Sequence, residues 1–320
     1  MPSDPHPFPQ RRLLALLTAG AAIVIILAGV AVAVRDSATT PSAAADKVIG
    51  PPLRSSPEGS GGCRPPDPFT LSQLRSLVPT SSIAPTVLGQ EQSAREHLRA
   101  LATAVTTGPC DTAGRYDYVQ TRQWALDART SDGATSQTAT VLQYESWLAA
   151  DGSGRNISIT TRTPPTENPP TDDIYPPGAS PATWVPLPTD VGAAATMLGS
   201  ATTGGRGPQA RLSAVADLNQ QQSPPRATRA ALLTALSDTD AITYHDPVTD
   251  RAGRHGVAVA ATSNDGITRD LLIIDPATGT VLAYEQAALG DPGRLGITTP
   301  RVLSYKLYLG RDHTDTVQRR

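Results

Sequence analysis

Tyr116–Leu126 (YDYVQTRQWAL) and Thr138–Leu148 (TATVLQYESWL) decide the fold class. Both are rich in aromatic and β-branched residues, and Asp132-Gly133 lies between them where a turn is expected. Asp151-Gly152-Ser153-Gly154 forms the next turn and Arg155–Thr161 (RNISITT) the next strand, so the segment reads as an antiparallel meander. The C-terminal third repeats the pattern. Asp240–His245, Gly256–Thr262, Ile267–Ile274 and Thr280–Gln286 are strand-like. Asn264-Asp265-Gly266 and Asp275-Pro276-Ala277-Thr278-Gly279 supply turn residues between the last three. In Arg301–Leu309, Leu303, Tyr305, Leu307 and Leu309 alternate with Val302, Ser304, Lys306 and Tyr308, the pattern of an edge or closing strand with one buried face.

Helical segments separate the two sets of strands. Glu91–Thr106 carries Ala94, Leu98, Leu101, Ala102 and Val105 as one apolar stripe, and Gly108-Pro109 stops it. Thr189–Leu198, Ala210–Asn219 and Pro224–Leu236 are further helices, with Thr189-Asp190 as a cap and Pro224-Pro225 as an opening. A shorter one is expected at Leu71–Leu77. Residues 163–186 hold eight prolines in twenty-four positions, so no regular element is expected there. The expected class is α+β: a curved antiparallel sheet, open and half-barrel-like, with helices on one face.

Outward from this domain lies the clearest single feature of the chain. Leu13–Val34 (LLALLTAGAAIVIILAGVAVAV) contains no charge. As a helix it would rise about 33 Å, enough for the ~30 Å hydrocarbon core of a bilayer. It exceeds the apolar region of an ordinary cleavable signal peptide, although Ala31-Val32-Ala33 has the small-x-small form of a cleavage site. Arg11 and Arg12 precede it, and Arg35 is neutralised by Asp36. The expected topology is a cytoplasmic tail at 1–12, a transmembrane helix at 13–34 and an extracytoplasmic bulk. Residues 35–68 form a Pro/Ser/Gly-rich linker, 69–310 the domain, and 311–320 a loose polar tail.

The net charge is −2, with no basic stripe to hold nucleic acid. Lys47 and Lys306 are the only lysines. Arginine for lysine, with abundant Ala, Gly, Pro and Thr, has the look of a GC-rich coding sequence. Cys63 and Cys110 both fall on the expected outer side, where an even count favours a disulfide between them.

No Gly-x-Ser-x-Gly, Ser-x-x-Lys, phosphate loop or zinc His-Glu pair occurs. No catalytic residue, metal ligand or cofactor is therefore expected. His245-Asp246 and Asp250…His255 read as a solvated turn, and His97 as a surface or half-buried structural histidine. The aromatics Tyr116, Tyr118, Trp124, Tyr144 and Trp147 cluster on the first two strands. They read either as the main core or as the lining of a ligand cleft under the helices.

Several of these features resemble an uncharacterised family of actinobacterial membrane-anchored proteins, often encoded beside extracytoplasmic-function sigma factors. The matching residues are Tyr116, Tyr118 and Val119 with Trp124; Trp147 with Asp151-Gly152; Leu187-Pro188-Thr189-Asp190; and Gly256–Val259 with Asp275–Gly279. The meander is also similar in topology to the half-barrels of lipoprotein carriers and periplasmic sensors. The resemblance implies a single-pass extracytoplasmic binding protein, an accessory to envelope-stress or sigma-factor signalling, whose partner is an apolar ligand or an envelope protein. The cytoplasmic stretch holds no cysteine and is too short to bind a sigma factor itself. An envelope hydrolase with an unfamiliar site, or a purely structural envelope protein, are the alternatives.

Overall fold

The computed structural model describes residues 92–108, 111–131, 134–163, 169–182, 184–201, 207–290 and 299–318. The apolar run 13–34, the linker, the helix expected at Leu71–Leu77 and both cysteines lie outside the described residues. Among the described residues no helix is long and apolar enough to cross a membrane.

Among the described residues the domain is α+β, with four helices and ten strands in one antiparallel sheet. In chain order the elements are β1 (Gln92–Ser93), α1 (Ala94–Thr107), β2 (Tyr116–Ser131), β3 (Ala134–Leu148), β4 (Gly154–Thr163), β5 (Thr171–Tyr175), α2 (Val191–Ala201), α3 (Pro208–Gln221), α4 (Arg226–Ser237), β6 (Ile242–Thr249), β7 (His255–Thr262), β8 (Thr268–Ile274), β9 (Val281–Ala288) and β10 (Arg301–Thr314). The spatial order is β1-β6-β7-β8-β9-β10-β2-β3-β4-β5. Each run of consecutive strands is a meander, as the turn signals predict. The two runs meet at β10, which pairs with β9 on one side and β2 on the other.

Of the two expected alternatives for β10, edge or closing strand, this placement excludes the edge, and it corrects the expectation of one buried face. The strand is central, and both of its faces are buried. It also continues past Leu309 to Thr314, where a loose tail was expected. A register shift between Tyr308 and Gly310 lets it follow β2 down to the Thr314–Tyr116 pair.

The turns form as their residues dictate. Asp265 Oδ1 accepts the Ile267 N–H at 3.0 Å, and Gly266 takes φ +72°. In the β8–β9 turn, Gly279 takes φ +68° and its N–H donates to Asp275 O at 2.8 Å. Gly279 has a second duty: a Cβ there would lie 2.4 Å from the Val105 side chain of α1. Asp190 caps α2 by accepting the Ala193 N–H at 2.9 Å. The opening of α4 is capped from a distance, where Asp111 Oδ2 accepts the Arg226 N–H at 2.8 Å.

All four helices pack on one face of the sheet. Ala94, Leu98, Leu101, Ala102 and Val105 of α1 are buried, as their spacing predicts, with Leu198, Leu212, Val215, Leu232, Leu233 and Leu236 of the other helices. They meet Val257, Val259, Leu272, Ile274 and Tyr308 of the strands. Each such leucine contributes about 1.5–3 kcal/mol by leaving water. The other face carries a second cluster made by strand residues, among them Trp124, Leu126, Leu271, Ile273, Leu303, Tyr305 and Leu307.

Polar contacts fix the position of α3. Lys306 Nζ donates to Asp217 at 2.7 Å, Tyr308 Oη to Ala216 O at 2.5 Å, and Arg311 to Asn219 Oδ1 at 2.5 Å. At the start of α3, Gln209 donates to Asp270 Oδ1 at 3.1 Å, and Tyr284 Oη meets Asp270 Oδ2 at 2.6 Å. Burial pushes the Tyr308 hydroxyl well up and the Arg311 guanidinium down to about 9.

Gly279→Ala combines an unfavourable φ with a clash, and is expected to cost about 2–4 kcal/mol. Gly253 has φ +80° but open space around it, so Gly253→Ala should cost only about 1 kcal/mol. Urea unfolding midpoints of the two variants check the difference.

Candidate functional site

The five aromatics singled out in the sequence do not converge on one cleft. Strand alternation and the β2–β3 register put Tyr118, Trp124 and Trp147 on the face away from the helices, and Tyr144 on the other. Trp147 is 1% exposed and lies 4.9 Å from the Tyr118 ring. Trp124 is 4% exposed and stacks on Tyr305 at 5.8 Å. Tyr116 is half-buried under the Arg115 guanidinium, 5.2 Å away. Tyr144 is also half-buried, and desolvation raises its hydroxyl pKa.

A small depression lies across β2, β3 and β4, beside Gln120, Gln143, Tyr144, Glu145, Ile157 and Ile159, so that of the five aromatics Tyr144 borders it. Its volume is ≈ 10 Å³, about what one water requires. No acyl chain fits there.

The face away from the helices holds charge that the sequence does not advertise. Arg251, from the β6–β7 turn, grips Glu285 of β9 through two bonds of 2.8 and 3.0 Å. Both side chains are almost fully buried, at 9% and 4% exposure. The same guanidinium sits 4.8 Å from the Tyr305 ring centre. Burial raises the Glu285 pKa, and the ion pair with Arg251 opposes that shift. Arg122, next to Trp124 in this face by alternation, is 4% exposed, and desolvation lowers its pKa.

The β6–β7 turn is not the solvated loop that its composition predicts. Asp250 is buried, and its Oδ1 accepts the N–H groups of Ala252 and Arg254, both at 2.9 Å. Its Oδ2 holds the Arg254 guanidinium, which also donates to Tyr308 O at 2.6 Å and Leu282 O at 2.7 Å. Asp250 and Arg254 thus tie this turn to β9 and β10. His245 is buried on β6, and its Nε2 lies 3.1 Å from Thr243 Oγ1. His255 is exposed, and its Nδ1 is 3.1 Å from Thr249 Oγ1. His97 is half-buried against the Tyr244 ring, 3.9 Å away.

A carboxylate–imidazole–hydroxyl row does form elsewhere. Asp117 Oδ1 is 3.1 Å from His313 Nε2, and His313 Nδ1 is 3.1 Å from Thr112 Oγ1. The order resembles a nucleophilic relay. However, the Thr112 oxygen already accepts the His313 backbone N–H at 3.1 Å. Nor do these residues border the depression described above, so the row acts as a bridge between segments. About 200 positions separate His313 from Thr112 and Asp117, and no local signal in the sequence joins them.

At the β5 edge of the sheet the surface changes character. Thr171–Tyr175 lies within the proline-rich stretch where no element was expected, and pairs with β4 from Ser158 to Gly154. Among the described residues its outer edge has no neighbouring strand. Pro169-Pro170 and Pro176-Pro177 bracket it, so proline shortens the strand without abolishing it. Arg155 holds Asp172 through bonds of 2.8 and 2.7 Å. Beside that pair Ile174 is 69% exposed, the most exposed large apolar side chain among the described residues. The adjoining Asp151 carboxyl is held down at about 2, first by hydrogen bonds from Ser153 and then by Arg115.

Among the described residues no group of three or more His, Cys, Asp or Glu side chains is placed to hold a metal ion. No family model matches the chain, and no curated protein matches it.

Arg251→Met strands a buried carboxylate and is expected to cost about 3–5 kcal/mol, whereas Arg251→Met with Glu285→Leu should recover most of that loss. A double-mutant cycle on urea midpoints measures the coupling.

Proposed function

We propose that the chain is a single-pass, membrane-anchored extracytoplasmic binding protein that engages a protein partner. In this reading residues 13–34 cross the bilayer with the N-terminus inside, and the sheet is the open half-barrel of an envelope sensor. Its place beside sigma-factor or envelope-stress signalling rests on the resemblance to the actinobacterial family.

The observation that carries the reading is Ile174, an apolar side chain presented to solvent on an open strand edge. Its neighbour Asp172 is fixed by Arg155, so the edge is held in shape before a partner arrives. An extended segment laid beside β5 would use the outward backbone groups for affinity and Ile174 for selectivity.

The test is photo-crosslinking of the full chain in its native membranes, with the reactive residue at position 174 or at Asp240 as a control. Asp240 lies away from β5 in sequence and has 96% of its side chain exposed. A protein adduct is expected from 174 and not from 240. Equal labelling from both positions, or lipid adducts alone from 174, would overturn the reading.

A further inference from the structure

The end of β10, the α1–β2 connection and the α3–α4 joint meet at His313. Its ring bridges Asp117 of β2 and Thr112 of the connection, both at 3.1 Å. Its backbone N–H donates to the same Thr112 hydroxyl, so strand and connection are joined twice. Asp117 Oδ1 also accepts the Ser223 N–H at 3.1 Å, which brings in the segment between α3 and α4.

Three carboxylates act on the imidazole: Asp117 on β2, Asp312 beside it on β10, and Asp111 in the connection. Asp111 is itself paired with Arg229 of α4 at 3.2 Å, while Arg311 of β10 is turned toward Asn219 of α3. The remaining contact is the neutral Thr112 hydroxyl. The nearest partners of the ring therefore favour its charged form.

We infer that His313 is a protonation-operated latch, which as imidazolium fastens the end of β10 and the α1–β2 connection to the α3–α4 joint and slackens when it loses its proton. The neutral ring has one N–H instead of two. If that proton stays on Nε2 toward Asp117, Nδ1 becomes an acceptor and the Thr112 hydroxyl must turn to donate. The ring's own charge is then gone, leaving Arg229 beside Asp111 and Arg311 near Asp117 as the remaining cations.

The hydrogen bond that the ring donates to Asp117 raises the His313 pKa, with burial opposing it. A histidine whose folded pKa lies above its unfolded value of about 6.5 contributes stability that is complete below that pH. The contribution is lost as the pH rises through the folded value. The latch is thus closed in mild acid and slackens toward alkaline pH.

Two measurements on the full chain test this. The first is an NMR titration of the His313 ring, expected to give a pKa above about 6.5. Asp117→Asn, which keeps an oxygen for the Ser223 N–H, should lower that pKa by about one unit, a ten-fold change in proton affinity. If Asn at 117 prevents folding, Asp312→Asn should lower it by a smaller step. The second is the urea midpoint at pH 6 and pH 8.5, which should fall between the two in the parent chain and fall less in His313→Gln. A ring that titrates at or below 6.5, a pKa unmoved by loss of the carboxylate, or an equal fall in His313→Gln would each overturn the latch.

Discussion

Everything in this domain depends on the pairing of β10 with two strands at once. Without it, β6–β9 with β1 would form one meander and β2–β5 another, each with an open edge next to its core. With it, Ser304–Leu307 is bonded to Gln286–Ala283 on one side and to Ala125–Arg122 on the other. The helices respect the same constraint, because Lys306, Tyr308 and Arg311 of this strand hold α3 at successive positions. At its far end β10 lies so close to the α1–β2 connection that a Cβ at Gly114 would sit 2.4 Å from the Thr314 nitrogen. That approach requires glycine.

Burial of charge is the second theme. Asp250 with Arg254, Glu285 with Arg251, and Asp270 with its ring of hydroxyl and amide donors are all withdrawn from water. Such groups rarely add net stability over well-packed apolar ones, but breaking one member of a set is costly. Their effect is on register. Arg254 reaches the carbonyl oxygens of Tyr308 and Leu282 together, a geometry that a slip of one residue in either strand would break.

How much of this could be read from the sequence differs by element. The apolar stripe of α1 and the Asp/Gly turns of the C-terminal meander are local patterns, and the structure follows them closely. Long-range pairing leaves no local pattern. β10 reads as one-sided because Lys306 interrupts its second face, yet Lys306 is buried by its bond to Asp217. The Asp250–Arg254 turn reads as solvated because its residues are charged, yet Asp250 is buried and Arg254 half-buried because their charges pair with each other. β5 is hidden by the prolines that bracket it, which end the strand on both sides without entering it. Of the aromatics, the packing of Trp147 on Tyr118 follows from the β2–β3 pairing, but the stacking of Trp124 on Tyr305 needs β10. The bridge from His313 to Asp117 likewise exists only after β10 has docked.

Among the described strands, the one that unites the sheet is also the last in chain order. As the chain grows, the first meander and the helices emerge well before Arg301–Thr314, so for most of its synthesis the domain is two unjoined halves. Stable closure must wait until that segment is free to insert. Until then the two halves have no strand in common. A premature stop within the final strand would remove the joint between the halves, however small the number of residues lost.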